Sequence, residues 1–129
     1  MKLTICPNSD TVLIKDWKYY YDLINIVSNN HLVSIIGLKK HNEYNNVIDL
    51  RGKTNIPELI EVIKKSHLII CNEGGVNHIS SYYNIPCIVT QMLDTPYRCI
   101  KSNIINLYKP KISEVLKFID LYNCILKRK

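Results

Sequence analysis

The sequence lacks the features that mark several specialised protein classes. No apolar run approaches the length of a membrane-spanning helix. The start, Met1–Cys6, is short and runs into polar sequence, unlike a secretory signal. Basic residues form a run only at Lys127–Lys129, so we expect no nucleic-acid partner. No repeat, low-complexity tract or linker divides the chain, and we expect one domain over residues 1–129.

The cysteines lack the spacing of a disulfide framework or a metal site. There are five, an odd number, and no two form a C-x-x-C pair. Three lie in or beside predicted strands, as small buried apolar residues do. The four histidines have no ligand spacing with the cysteines. We therefore expect no metal and no cofactor, and a reducing, cytoplasmic compartment.

Acidic residues are fewer than basic ones, 11 against 17, which gives a net charge of +6. The lysines are scattered and few aromatic residues alternate with them, so a solvated surface is the first interpretation. A basic field of this kind also attracts nucleotides or acidic membranes.

The most informative stretch that is present is Ser66–Thr90. Leu68–Cys71 and Cys87–Thr90 are short, continuous apolar runs, typical of strands buried on both faces. Between them, Asn72–Gly75 breaks the pattern and Val76–Tyr83 can form about two helical turns. This order predicts a parallel strand–helix–strand unit, which places the glycine turn at the carboxyl end of a sheet.

The rest of the chain repeats this alternation. Asp16 is a candidate cap for a helix that begins at Trp17, and Asn55 with Glu58 has the spacing of a capping box. Pro110 and Ser113 open a last helix. The pattern predicts an α/β fold with a parallel sheet and helices on both faces. The further predicted strands are Lys2–Cys6, Leu32–Ile36, Val47–Leu50 and Ile104–Leu107.

The glycine turn is a candidate ligand site, although its spacing is not a full G-x-G-x-x-G. Gly74 and Gly75 allow a tight turn and a close approach of backbone to ligand. Free N–H groups at the following helix start favour an anion. Glu73 suits hydroxyl groups of a sugar or ribose. A turn that binds nothing is equally compatible, and His78 taken alone is better explained as a core histidine than as a phosphate donor.

Several segments together resemble the carboxyl-terminal half of glycosyltransferase family 9, the ADP-heptose:lipopolysaccharide heptosyltransferases. Asp49–Leu59, D-L-R-G-K-T-N-I-P-E-L, is similar to the family's D-L-T-G-K-T-S-L-x-E-L, and Glu73–His78, E-G-G-V-N-H, to its D-S-G-P-M-H. The resemblance extends from about Leu3 to Tyr122. It implies a single Rossmann-like, three-layer domain, as in the carboxyl-terminal half of a GT-B enzyme, that binds a nucleotide-diphosphate sugar.

The resemblance also implies roles for individual residues. The family's diphosphate-binding lysine falls on Lys15, and a phosphate-binding Ser or Thr upstream of it falls on Thr11. A lysine, a helix start and a histidine donor all stabilise a diphosphate leaving group. The remaining implied contacts lie in one segment and are Glu73, Gly74, Gly75, Val76, Asn77 and His78.

This sequence departs from the family pattern at the same corner. Glu73 and Gly74 replace Asp and Ser, and lysines follow Gly37 where many members place an acidic ribose contact. In the family, the amino-terminal half carries the acceptor site and the aspartate base. The resemblance therefore implies a donor-binding half that acts with a separate acceptor half or in a homodimer. A nucleotide-binding module without transfer activity and a degenerate fragment with a structural or assembly role are the alternatives.

Overall fold

A computed structural model describes residues 1–8, 16–38, 42–93 and 101–128. Strands and helices alternate along these residues as predicted, except at two places where one strand follows another with no described helix between them. Within them the strands are β1 Lys2–Cys6, β2 Leu32–Ile35, β3 Ile48–Asp49, β4 Leu68–Asn72, β5 Cys87–Gln91 and β6 Ile104–Tyr108. The helices are α1 Tyr20–Val27, α2 Ile56–Lys64, α3 Gly75–Tyr82 and α4 Ile112–Lys127.

The six strands form one sheet in the order β3-β2-β1-β4-β5-β6, and every neighbouring pair is parallel. Successive connections run outward from β1 on one side and from β4 on the other. The order therefore reverses between β1 and β4. In open parallel sheets, the crevice at the carboxyl ends of the strands beside such a reversal is where ligands bind. The predicted α/β fold with a parallel sheet is confirmed.

Two buried clusters lie on opposite faces of the sheet. Alternate residues of one strand point to opposite sides, so in β4 Ile70 belongs to one cluster and Ile69 to the other. The first cluster includes residues of α1 and α4, and the second includes residues of α2 and α3. β4 and β5 are buried along their whole length, which explains their continuous apolar sequence.

The start of α1 differs from the prediction. The helix begins at Tyr20 rather than Trp17, and no side chain caps it. The Asp16 carboxylate accepts hydrogen bonds from the side-chain amides of Asn8 and Asn72 instead. In the helix itself the Tyr21 side chain is 48% exposed, whereas Leu23 is buried. The first turn is therefore shaped by tertiary contacts.

The other helices follow the sequence more closely. Asn55 and Glu58 form the predicted capping box of α2, with each side chain accepting from the other residue's N–H. α4 begins after Lys111, so Ser113 lies within its first turn rather than before it. None of the helices in the described ranges is long and apolar enough to cross a membrane.

Candidate functional site

A cleft of about 380 Å³ opens at the carboxyl end of the sheet, beside the reversal between β1 and β4. Its floor includes strand-end residues Cys6, Ile36 and Asn72, and the residues around it come from the starts of α2 and α3. The predicted ligand corner thus lines this cleft. The lining residues are Cys6, Asn8, Ile36, Gly37, Leu38, Thr54, Asn55, Ile56, Leu59, Asn72, Glu73, Gly74, Gly75, Val76 and Ile79.

The cleft has two chemically different walls. Ile36, Leu38, Ile56 and Leu59 form an apolar wall on the side of β2 and α2. The other wall is the Glu73–Val76 corner, on the side of β4 and α3, which contributes backbone, one carboxylate and the Val76 side chain. A ligand with one planar apolar end and one anionic end matches this division, because flat rings favour apolar walls and anions favour exposed N–H groups.

The two helices that begin at the cleft differ in what they offer a ligand. At α2 the capping box occupies the Glu58 N–H, and Pro57 has no N–H to donate. At α3 the N-cap residue is Gly74, which has no side chain to accept from the first turn, and the N–H groups of Gly75 and Val76 lie among those that a helix leaves without intrahelical partners. The start of α3 is therefore the end of the cleft that leaves more backbone N–H groups for a ligand.

The glycines at this corner are not required by backbone conformation. Gly74 has φ of 167°, an extended value that any residue adopts, and Gly75 is the first residue of α3. A Cβ built on either glycine meets no atom within 4 Å. What the two glycines leave is uncovered backbone facing open space.

Glu73 and Val76 lie in the cleft, whereas the next two predicted residues do not line it. Asn77 is completely buried, and its Oδ1 accepts from the Gly74 N–H at 2.7 Å. Its side chain therefore shapes the corner from beneath. His78 is exposed on α3, so the interpretation as a core histidine is wrong. Its proposed contact with phosphate stays a prediction.

Thr11 and Lys15 lie outside the described residues. Of the described residues that line the cleft, Glu73 alone carries a charged side chain. A positive charge to balance a diphosphate must therefore come from elsewhere, and Lys15 is the residue that the sequence predicts. Within the described ranges, no group of three or more His, Cys, Asp or Glu side chains is placed to hold a metal ion.

The segment Asp49–Leu59, singled out by its sequence, divides between two roles. Asp49 accepts from the Arg51 Nε and Nη2 at 3.0 Å each, and this hydrogen bonding raises the pKa of the Arg51 guanidinium. Arg51 Nη2 also donates to the Asn42 carbonyl, and the Gly52 N–H donates to the Gly37 carbonyl. This half supports the β2 side of the cleft, while Thr54, Asn55, Ile56 and Leu59 line it.

Sequence reasoning missed the apolar wall. Ile36 and Leu59 look like ordinary strand and helix residues, and Leu38 and Ile56 look like isolated apolar residues beside them. Only the packing of α2 beside the end of β2 brings them together. A usable signal in the sequence was the position of Ile56 directly after the predicted cap Asn55, because an apolar side chain at a helix start has little core to enter. In the structure Ile56 is 66% exposed.

The sheet order and the cleft at the reversal define a Rossmann-like α/β architecture. Residues 1–89 match the model of glycosyltransferase family 9 (heptosyltransferase), and the chain belongs to that family. Its sequence is 25% identical to lipooligosaccharide heptosyltransferase 2 of Haemophilus influenzae over 132 aligned residues. That alignment covers 87% of this chain and 38% of the relative.

Solved structures show the same fold at lower identity. The E. coli ADP-heptose lipopolysaccharide heptosyltransferase II superposes with a TM-score of 0.82 at 15% identity, over 98% of this chain and 47% of that one. The E. coli heptosyltransferase WaaC, solved with ADP, gives 0.77 at 14% identity, over 92% and 43%. The chain thus spans less than half the length of these relatives.

Proposed function

We propose that this domain is the donor-binding half of a glycosyltransferase and that it binds a nucleotide-diphosphate sugar. The observation that carries the proposal is the cleft at the sheet reversal, with an uncapped helix start at one end and an apolar wall at the other. The diphosphate lies at the N–H groups of Gly75 and Val76. The nucleoside lies against Ile56 and Leu59, and Glu73 accepts hydrogen bonds from sugar hydroxyls.

This orientation follows from the charge that develops in the reaction. When the glycosidic bond to the donor sugar breaks, the nucleotide diphosphate leaves with additional negative charge. Backbone N–H groups fixed at a helix start stabilise that charge without reorganising. Lys15 supplies the counter-charge in this proposal, and His78 donates a further hydrogen bond.

Transfer also requires a group that deprotonates the acceptor hydroxyl. No described residue of the cleft is placed as a base for an acceptor hydroxyl, apart from Glu73, which this proposal uses for the donor. We propose that a separate acceptor-binding domain, or a second copy of the chain, faces the cleft during transfer. The relatives, more than twice as long as the matched region, are consistent with this division.

Calorimetric titration tests donor binding directly. ADP, GDP and UDP, each with and without a sugar, should include one nucleotide that binds and whose nucleoside alone binds much more weakly. Lys15→Ala and Glu73→Ala should each weaken binding by ~1–3 kcal/mol if they make charge-assisted contacts. Lys101→Ala is a matched control, because Lys101 donates to the Ser81 carbonyl at the opposite end of α3. No binding at millimolar nucleotide would overturn the proposal.

One further outcome distinguishes the alternatives. Binding without transfer, even with an acceptor domain supplied, would favour a nucleotide-binding module.

We propose a cytoplasmic location, where nucleotide sugars are available. Four cysteines in the described ranges form no disulfide, and the sulfurs of Cys71 and Cys87 share a hydrogen bond at 3.7 Å, as a reducing compartment permits.

A further inference from the structure

Asn72 is the last residue of β4 and directly precedes the Glu73–Val76 corner. Both the oxygen and the nitrogen of its side-chain amide make hydrogen bonds. Its Oδ1 accepts from the Trp17 backbone N–H at 2.8 Å and from the Thr90 hydroxyl at 3.2 Å. Its Nδ2 donates to the Pro7 carbonyl at 3.0 Å and to the Asp16 carboxylate at 3.3 Å. The residue is 5% exposed.

These partners lie at the two ends of one loop. Pro7 follows β1, and Asp16 and Trp17 precede α1, so a single carboxamide holds both ends of the connection between them. The ends also contact each other, because Asn8 Nδ2 donates to Asp16 Oδ2 at 3.4 Å. Asn8 itself lines the cleft beside Asn72. Asn72 therefore joins the loop to the strand that leads into the ligand corner.

A second set of bonds fixes Asn72 itself. The Thr90 hydroxyl has one proton, which it gives to Asn72 Oδ1 or to the Cys71 carbonyl. Tyr20 must then be the donor in the 2.6 Å bond between its hydroxyl and that of Thr90. All three side chains are buried. A satisfied buried network of this kind holds a side chain in one geometry.

We infer that Asn72 is a positioning residue that holds the two described ends of the connection between β1 and α1, Pro7 and Asp16–Trp17, beside the Gly74–Gly75 corner for a diphosphate ligand. The identity of the ligand in this inference rests on the proposed function, whereas the hydrogen bonds of Asn72 are observed in the structure. Asparagine is required because the position needs an acceptor on one side and a donor on the other. Aspartate cannot donate to Pro7 and places its charge beside Asp16. Fixing both ends of the loop before the ligand arrives lowers the entropy lost on binding.

Two variants and a control separate positioning from general stability. Asn72→Ala removes both sets of bonds, and Asn72→Asp keeps the acceptor for Trp17 while removing the donor. Asn103→Ala is the matched control, because Asn103 Nδ2 also holds two carbonyls, those of Ser80 and Ile85, at the amino end of β6. All three lose hydrogen bonds of a similar kind, but only the Asn72 variants disturb the cleft.

The first measurement uses no nucleotide. Amide hydrogen exchange at Trp17 should accelerate about tenfold or more in Asn72→Ala relative to Asn103→Ala at equal global stability. Asn72→Asp should show a smaller acceleration at Trp17, since its acceptor remains. Exchange at Trp17 that is unchanged, or equal in Asn72→Ala and the control, would overturn the inference. If Asn72→Ala does not fold, Asn72→Asp, which has the same shape, decides the question by the same comparison.

The second measurement concerns the ligand. The affinity for ADP should fall roughly tenfold in both Asn72 variants, the affinity for adenosine should change much less, and Asn103→Ala should retain both. Faster exchange with unchanged ADP affinity would overturn the positioning role. If the unsubstituted protein binds no ADP, the proposed function fails, while the exchange at Trp17 still decides whether Asn72 holds the loop.

Discussion

At the scale of single residues, the two glycines of the ligand corner differ from the glycines elsewhere in the fold. Gly37 and Gly52 have φ of 140° and 71°, values that disfavour other residues. Gly75 has no such constraint, and a Cβ there meets open space. Gly75 leaves the backbone around it uncovered. We therefore expect a substitution at Gly75 to change the affinity for a ligand without lowering the free energy of unfolding.

Gly75→Ala should therefore leave the free energy of unfolding unchanged or raise it by up to ~1 kcal/mol, because alanine restricts the unfolded chain. Its methyl group occupies the space over the exposed N–H groups, and ADP affinity should fall roughly tenfold, or about 1.4 kcal/mol. Urea denaturation and calorimetry measure the two effects.

Gly52→Ala is the opposite control. Its new Cβ would lie 3.2 Å from the Leu38 carbonyl oxygen at a positive φ. It should lose ~1–3 kcal/mol of stability. A Gly75→Ala variant that loses stability to the same degree would contradict the assignment of this glycine to binding.

Tyr20 gives a prediction on alkaline pH. Burial raises the pKa of its hydroxyl well above the ordinary value. The folded state keeps the proton that the unfolded chain releases near pH ~10, so this stability is present below that pH and lost above it. Tyr20→Phe should cost ~1 kcal/mol at pH 7 through the lost hydrogen bond. Its free energy of unfolding should then fall less between pH 9 and 11 than that of the unsubstituted protein.

The alkaline loss should be reduced in Tyr20→Phe rather than abolished. The hydrogen bond with Cys87, and burial, raise the pKa of the Cys71 thiol as well, and this group remains in the variant. Tyr82→Phe is the matched control, because Tyr82 is 76% exposed. Equal pH dependence in Tyr20→Phe and the unsubstituted protein would show that Tyr20 ionisation plays no part.

At the scale of elements, α2 combines a structural cap with a wall of the cleft. Asn55→Ala removes the acceptor for the Glu58 N–H and should lower the free energy of unfolding by ~1 kcal/mol. Asn55→Ser restores a short side-chain oxygen and should recover most of the loss in a urea titration. Equal stability of the alanine and serine variants would mean that the cap contributes nothing measurable.

The elements also show where sequence reasoning succeeds. β4 and β5 were predictable because strands buried on both faces have continuous apolar sequences, and α2 was predictable because its capping box is local. The start of α1 was not, since the partner of the Trp17 N–H is Asn72, distant in sequence. The candidate corner followed from the strand–turn–helix order, whereas the apolar wall depends on how α2 packs beside β2.

At the scale of the whole molecule, donor binding and sugar transfer should separate. Nucleotide that binds only the folded state raises its stability, by about 2.7 kcal/mol at a hundredfold excess over Kd. The domain alone should show this stabilisation as a rise in melting temperature and should transfer no sugar to an acceptor. Transfer by the purified domain, in a strictly monomeric state, would contradict the need for an acceptor half.

The uncovered start of α3 has a consequence for evolutionary drift. Main-chain N–H groups are present whatever the side chains are, except at proline, so mutation cannot delete them one at a time as it deletes a lysine or an arginine. An anion site of this type is inherited with the path of the backbone. Related proteins in which nearly every neighbouring side chain has been replaced can therefore keep their affinity for a charged ligand, provided that no larger residue replaces Gly74 or Gly75.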